Sequence, residues 1–104
     1  MNLENLIKII DARATADPSE SWTAKLLSQG PEKCAEKFGE EAIELIVACV
    51  KKKKIEIVAE AADTLYHLCV LLRANNISIN EILSELVLRE GVSGIEEKRK
   101  RNIK

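Results

Sequence analysis

KFGEEAIE at residues 37–44 and EAADTLYH at residues 60–67 are the two segments that decide the fold of this chain. In each of them two acids stand three positions apart, and alanine and larger apolar residues fill most of the surrounding positions. Residues three apart lie on one face of an α-helix, whereas neighbouring positions of a strand alternate between two faces. We therefore predict two long helices, each apolar around most of its circumference and crossed by a narrow acidic stripe.

The rest of the chain extends this pattern to an all-α domain. Lysines at residues 51–54 mark the turn between the long helices, because cations suit a helix C-terminus. No segment alternates with period two, so we predict no sheet. The length of 104 residues predicts one domain over residues 1–104, a helical hairpin flanked by short helices. The predicted helices are 3–15, a short one starting at residues 17–20 and ending at residue 30, 31–50, 55–74, 78–89 and a last one starting at residues 93–94.

The composition is that expected of a small cytoplasmic protein. The net charge of −1 gives no general attraction to nucleic acid or membrane, and we predict neither as a partner, although residues 98–104 carry five cations. Charged residues interrupt the apolar N-terminal segment, which argues against a signal peptide. Cys34, Cys49 and Cys69 are an odd, widely spaced set with apolar neighbours, which predicts buried, reduced thiols.

A hairpin folded about residue 52 would bring the acids of both helices together. Glu44 then faces Glu60, and Glu41 faces Asp63. Carboxylates gathered in a partly desolvated place repel one another unless they are protonated or a cation lies between them. Oxygen ligands suit Mg²⁺, Mn²⁺ or Ca²⁺, and Mg²⁺ usually keeps positions open for substrate phosphates. Two solvated acidic faces are the alternative, but the shared register on apolar helices favours a metal site.

The two segments resemble the signature E-E-x-x-E followed by E-x-x-D of the all-α, MazG-like nucleotide pyrophosphohydrolase superfamily. SWTAKLL at residues 21–27 and REGVSGIEEKRKR at residues 89–101 extend the resemblance to the phosphoribosyl-ATP pyrophosphatase family, over about residues 3–101. Trp22 stands where that family frequently has tyrosine. The resemblance implies hydrolysis of phosphoribosyl-ATP to phosphoribosyl-AMP and pyrophosphate, the second step of histidine biosynthesis.

The resemblance also implies roles for individual residues. Its metal ligands for Mg²⁺, or alternatively Mn²⁺, would be Glu41, Glu44, Glu60 and Asp63. Glu40 and Glu44 are the predicted catalytic residues, Glu40 by orienting or deprotonating the attacking water. A substrate with several phosphates needs further cations and donors. The predicted substrate-binding residues are Lys25, Lys37, His67, Arg89, Ser93, Gly94, Lys98 and Arg101.

Some of these residues have a second interpretation. Lys37 could pair with the acids one turn later, His67 could be a structural histidine, and the remaining cations could belong to a solvated surface. The apolar circumference of the hairpin is larger than the short helices can cover, so we predict a homodimer with a four-helix core. The alternative functions are a house-cleaning nucleotide pyrophosphohydrolase and a non-catalytic helical dimer, which would tolerate loss of Glu41 or Asp63.

Overall fold

The computed structural model describes residues 1–91, 94, 98–99 and 101. Within these residues the chain forms five α-helices, α1 to α5, and no strand, which confirms the predicted all-α class. Gly94, Lys98 and Arg101 are also helical, whereas Ser93 lies outside the described residues. The helices are α1 (Leu3–Ala14), α2 (Trp22–Ser28), α3 (Pro31–Lys51), α4 (Lys54–Ala74) and α5 (Ile79–Leu88).

Local side-chain bonds fix where most of these helices begin. The Asn2 side chain caps α1 in a reciprocal bond with Asn5, and Ser78 and Glu81 form the predicted capping box of α5. Such a box satisfies backbone N–H groups that have no partner inside the helix. Pro31 opens α3, where its missing N–H costs nothing.

The predicted start of α2 is wrong. Ser21 caps this helix by accepting a bond from the Ala24 N–H at 3.2 Å. Asp17 instead accepts bonds from the Ser19 backbone N–H at 2.9 Å and the Ser19 hydroxyl at 2.8 Å, closing a turn before the helix. Aspartate is suited to both a cap and such a turn, and here the turn is formed.

Helices α3 and α4 are antiparallel and form the predicted hairpin. Lys52 ends α3 in the left-handed region at φ 59°, and α4 begins two residues later. Each helix has 21 residues and is therefore about 31 Å long. The short turn keeps the two helices in contact along their length and sets which turns of α3 and α4 lie side by side.

The buried core lies at the end of the hairpin that is remote from its turn. Its members Ile10, Leu26, Cys34, Cys69 and Val70 bring α1 and α2 against the beginning of α3 and the end of α4. The prediction of buried thiols is therefore correct for Cys34 and Cys69 and wrong for Cys49, which is exposed. Cys49 lies near the turn, beyond the part of the hairpin that α1 and α2 cover.

Toward its turn the hairpin exposes apolar side chains that nothing in the described chain covers. We call these residues the hairpin face, and each has 44–87% of its surface accessible. No helix among the described residues has the length and apolarity required to cross a bilayer. The hairpin face consists of Ile43, Ile46, Val47, Val50, Ile55, Val58 and Leu65.

Candidate metal centre

Three carboxylates converge between the two long helices. Glu41 comes from the middle of α3, and Glu60 and Asp63 come from consecutive turns of α4. One oxygen from each lies within 4.8 Å of the other two, and we call these residues the carboxylate cluster. Ligands of a cation with bonds of about 2.1 Å stand about 3–4 Å apart, so only a small closure separates the cluster from coordinating geometry.

Glu44, the fourth predicted ligand, lies beside the cluster and is not one of the three converging residues. Its charge and a hydrogen bond nevertheless raise the pKa of both Glu41 and Glu60, so it interacts with the cluster from one turn nearer the hairpin turn. Its side chain is more exposed than those of Glu41 and Glu60, which leaves it accessible to a ligand on the solvent side.

Burial and mutual repulsion make the cluster unfavourable for negative charge. Desolvation is the largest cause that raises the pKa of Glu41 above its ordinary value of 4.5, followed by the charges of Glu44 and Asp63. The same causes in the same order raise the pKa of Glu60. Because a bound cation would offset both effects, the electrostatics of the cluster fit a metal site.

The Glu60 carboxylate supplies a direct test of that fit. Its Oε2 atom is buried, and no donor in the described part of the chain reaches it. A buried polar atom without a partner is costly, and native proteins rarely leave one unsatisfied. A cation in the cluster would satisfy this atom, which makes Glu60 the best-supported ligand of the predicted set.

His67 borders the cluster on its buried side. Its Nε2 atom lies 4.0 Å from Glu41 Oε1, and its ring meets the Tyr66 ring edge-on at 5.1 Å. Burial is the main cause that lowers the pKa of His67 below 6.5, assisted by the Lys37 charge and opposed by Asp63 and Glu40. The surroundings of His67 therefore favour its neutral form, and its predicted contact with substrate stays a prediction.

Glu40 and Lys37 form an ion pair on the outer side of α3. Lys37 Nζ lies 3.1 Å from Glu40 Oε2, and this contact raises the pKa of Lys37. The predicted pairing of Lys37 with the acids one turn later is thus present. Lys37 also lies close enough to influence His67, so the pair adjoins the cluster and a phosphate contact stays open to it.

Sequence reasoning missed two threonines. Thr64 Oγ1 lies 2.7 Å from the Glu60 carbonyl oxygen and 3.2 Å from the Glu41 carbonyl oxygen, and therefore joins the two helices beside the cluster. Thr23 Oγ1 lies 2.5 Å from the Tyr66 hydroxyl and joins α2 to α4. The sequence signal for Thr64 was a hydroxyl residue directly after Asp63 and before apolar Leu65.

The remaining predicted substrate contacts lie on exposed positions. Lys25 Nζ stands 5.7 Å from the centre of the Trp22 ring, a cation–π arrangement, and Arg89 Nε donates to Glu85 Oε1 at 3.1 Å. Gly94, Lys98 and Arg101 are exposed helical residues. The prediction for Ser93 falls outside the described residues, and contact of any of these with substrate stays a prediction.

Gly39 is the one glycine inside α3. A Cβ atom built at this position would meet nothing within 4 Å among the described residues. Glycine in a helix interior costs about 1 kcal/mol relative to alanine. The described part of the fold therefore gives no packing reason for a glycine two residues before Glu41.

Comparison with known proteins gives a consistent family. A family model described as phosphoribosyl-ATP pyrophosphohydrolase matches residues 3–90. The phosphoribosyl-ATP pyrophosphatase of Rhodobacter capsulatus is 57% identical over 96 residues, which cover 92% of this chain and 93% of that protein. Proteins of the same name from Paracoccus denitrificans and Dinoroseobacter shibae are each 57% identical over 99 residues, covering 95% of this chain and 92% and 97% of theirs.

Proposed function

This chain belongs to the phosphoribosyl-ATP pyrophosphohydrolase family, and we propose that it hydrolyses phosphoribosyl-ATP to phosphoribosyl-AMP and pyrophosphate with a divalent cation held by its carboxylate cluster. As a member of this family it is a hydrolase that acts on a phosphoric anhydride in histidine biosynthesis. The observation that carries the metal proposal is the convergence of Glu41, Glu60 and Asp63 around the unpaired Glu60 Oε2 atom. Mg²⁺ is the proposed cation, with Mn²⁺ as its alternative.

The residues around the cluster have separate tasks in this proposal. When bound, the cation would neutralise charge on phosphate oxygens and on the departing pyrophosphate. Glu41, Glu60 and Asp63 would hold it, and Glu44 would complete its surroundings from the solvent side. His67 borders the cluster, with its Nε2 atom 4.0 Å from Glu41 Oε1, and remains a proposed substrate contact from the sequence.

Glu40 is the proposed residue for the attacking water. It is exposed, adjoins Glu41 in sequence and is not a member of the cluster, so its carboxylate stays available to accept a proton. Lys37, at 3.1 Å from Glu40, would then contact a phosphate once substrate is bound. The other predicted substrate contacts, Lys25 and the cations beyond α5, complete this proposal from the sequence.

We also propose that the protein is a homodimer. The hairpin face exposes apolar side chains such as Ile46 and Val58, each 61% accessible, along one side of both long helices. Contiguous apolar surfaces of this kind on water-soluble domains generally mark association sites. Two hairpins packed through these faces would form the predicted four-helix core.

A cytoplasmic location belongs to the same proposal. The cysteines Cys34, Cys49 and Cys69 are all free thiols, and two of them are buried. Reduced cysteines are usual in the cytosol, where disulfides rarely persist. A nucleotide substrate is consistent with the same compartment.

The test of the metal proposal is pyrophosphate release from phosphoribosyl-ATP with Mg²⁺, with dUTP and ATP as competing substrates. We expect EDTA to abolish release and Glu60→Gln to lower kcat/KM at least about 100-fold, since even residues that only support a ligand cost 10–100-fold. Glu32→Gln is the control, because Glu32 lies in the first turn of α3, outside the cluster, and is not among the charges that raise the pKa of Glu41 or Glu60. Release that survives EDTA and Glu60→Gln would refute the metal proposal, and preference for dUTP would indicate a house-cleaning enzyme.

A further inference from the structure

Thr64 connects the two long helices at the level of the carboxylate cluster. It follows Asp63 on α4, and its hydroxyl lies 2.7 Å from the Glu60 carbonyl oxygen and 3.2 Å from the Glu41 carbonyl oxygen. The first contact stays within α4, and the second crosses to α3. One partly buried side chain therefore touches the backbone of a cluster residue on each helix.

This contact is not needed to satisfy the two carbonyl groups. Both lie in helix interiors, where a carbonyl already accepts the N–H four residues later. A threonine hydroxyl has one proton, so it donates to the two oxygens as a shared bond. Threonine bonds of this kind to the preceding turn slightly destabilise and bend a helix. Valine would fill the same space without this cost.

We infer that Thr64 is a positioning residue for the cation, and this inference rests on the metal site proposed above. The short turn sets which turns of α3 and α4 meet, and the Thr64 hydroxyl holds the finer position of α3 against α4 at the level of the cluster. It thereby holds the distance between Glu41 and the other two members of the cluster. The cluster oxygens already lie within 4.8 Å, whereas the ligands of a small cation must stand about 3–4 Å apart. A slip of one residue along a helix is about 1.5 Å, which is enough to remove Glu41 from that shell.

The experiment measures Mn²⁺ binding to metal-free protein by titration calorimetry or electron paramagnetic resonance, beside thermal unfolding of each variant. Thr64→Val keeps the branched shape and removes the hydroxyl, and we expect it to raise the Mn²⁺ Kd about 10-fold, as for other groups that support a ligand. Thr64→Ser restores the hydroxyl and should restore the wild-type Kd.

Thr23→Val is the matched control. It removes another inter-helix hydroxyl contact, that with Tyr66, outside the cluster. We expect it to lower the melting temperature and leave the Mn²⁺ Kd unchanged. If Thr64→Val does not fold, as judged by far-ultraviolet circular dichroism, the pair Thr64→Ser and Thr64→Ala isolates the hydroxyl, and only the alanine variant should bind Mn²⁺ more weakly.

The outcomes separate this inference from the metal proposal. The role of Thr64 alone would be overturned if Glu60→Gln lost Mn²⁺ binding while Thr64→Val bound Mn²⁺ like the wild type. Where the valine variant does not fold, Thr64→Ala takes its place in this comparison. A serine variant that binds as weakly as the valine or alanine variant would also overturn it, because the hydroxyl would not be the operative group. Wild-type protein that binds no Mn²⁺, or Glu60→Gln that binds it equally well, would overturn both.

Discussion

Replacing Gly39 by alanine tests whether the fold of the described chain needs a glycine inside α3, two residues before Glu41. Gly39 lies inside α3, and an added Cβ meets nothing within 4 Å among the described residues. Replacing a glycine in a helix interior by alanine raises the free energy of unfolding by about 0.5–1 kcal/mol. For a domain of this size that corresponds to a rise of about 2–8 °C in melting temperature.

The assay is thermal unfolding of metal-free protein followed by circular dichroism, at a fixed protein concentration. Gly30→Ala is the contrasting variant, because Gly30 has a φ of 95° that an alanine adopts only with strain. We expect Gly39→Ala to melt higher than wild type and Gly30→Ala to melt lower. A lower melting temperature for Gly39→Ala, at unchanged dimer content, would refute the reasoning and would place another surface against this glycine. If Gly39→Ala released pyrophosphate more slowly while melting higher, the space beside Gly39 would be assigned to the substrate.

Three further predictions follow from the charges and surfaces of the structure. Burial and repulsion raise the pKa of Glu41 above 4.5. Between pH 4.5 and the raised pKa the folded state therefore binds a proton at Glu41 that the unfolded chain has released. The free energy of unfolding in EDTA should therefore fall as the pH rises above 4.5 through the raised pKa, and it should fall less in Glu41→Gln. Saturating Mg²⁺ should reverse the fall. Urea titrations at several pH values measure each of these free energies. Ile46→Glu places a charge on the hairpin face and should raise the dimer Kd at least about 10-fold, by analytical ultracentrifugation, whereas an unchanged Kd would exclude this face as the interface. Asp11→Asn breaks the half-exposed ion pair with Arg73 and should cost no more than about 1 kcal/mol in the same urea assay, and a larger loss would show that the pair is held more rigidly than its exposure indicates.

The hairpin and its carboxylates were predictable because each depends on spacing along one chain. Acids three apart share a helix face, and a short lysine-rich turn leaves little freedom in which turn of α3 meets which turn of α4. Glu41, Glu60 and Asp63 converge for that reason. The capping box of Ser78 and Glu81 is equally local, since both of its bonds join residues three apart.

The parts that escaped prediction depend on competition or on tertiary geometry. Asp17 and Ser21 are both good helix caps, and the sequence does not say that Asp17 will be used in a turn with Ser19. The crossing from Thr64 to the Glu41 carbonyl depends on the rotation of α4 about its axis, which periodicity gives only roughly. Cys49 has an apolar neighbourhood in sequence, but its exposure depends on how far along the hairpin α1 and α2 reach.

The position of the buried core has a consequence for how cation binding responds to concentration. One end of the hairpin is held by α1 and α2, the other ends in an uncovered apolar face, and the carboxylate cluster lies between them. If the second copy steadies the uncovered end, the two helices hold their register better in the dimer than in the monomer. Cation affinity and self-association would then be linked, and linkage of this kind is reciprocal. Dilution to monomer would lower the affinity for the metal, and removal of the metal would weaken dimerisation by the same free energy.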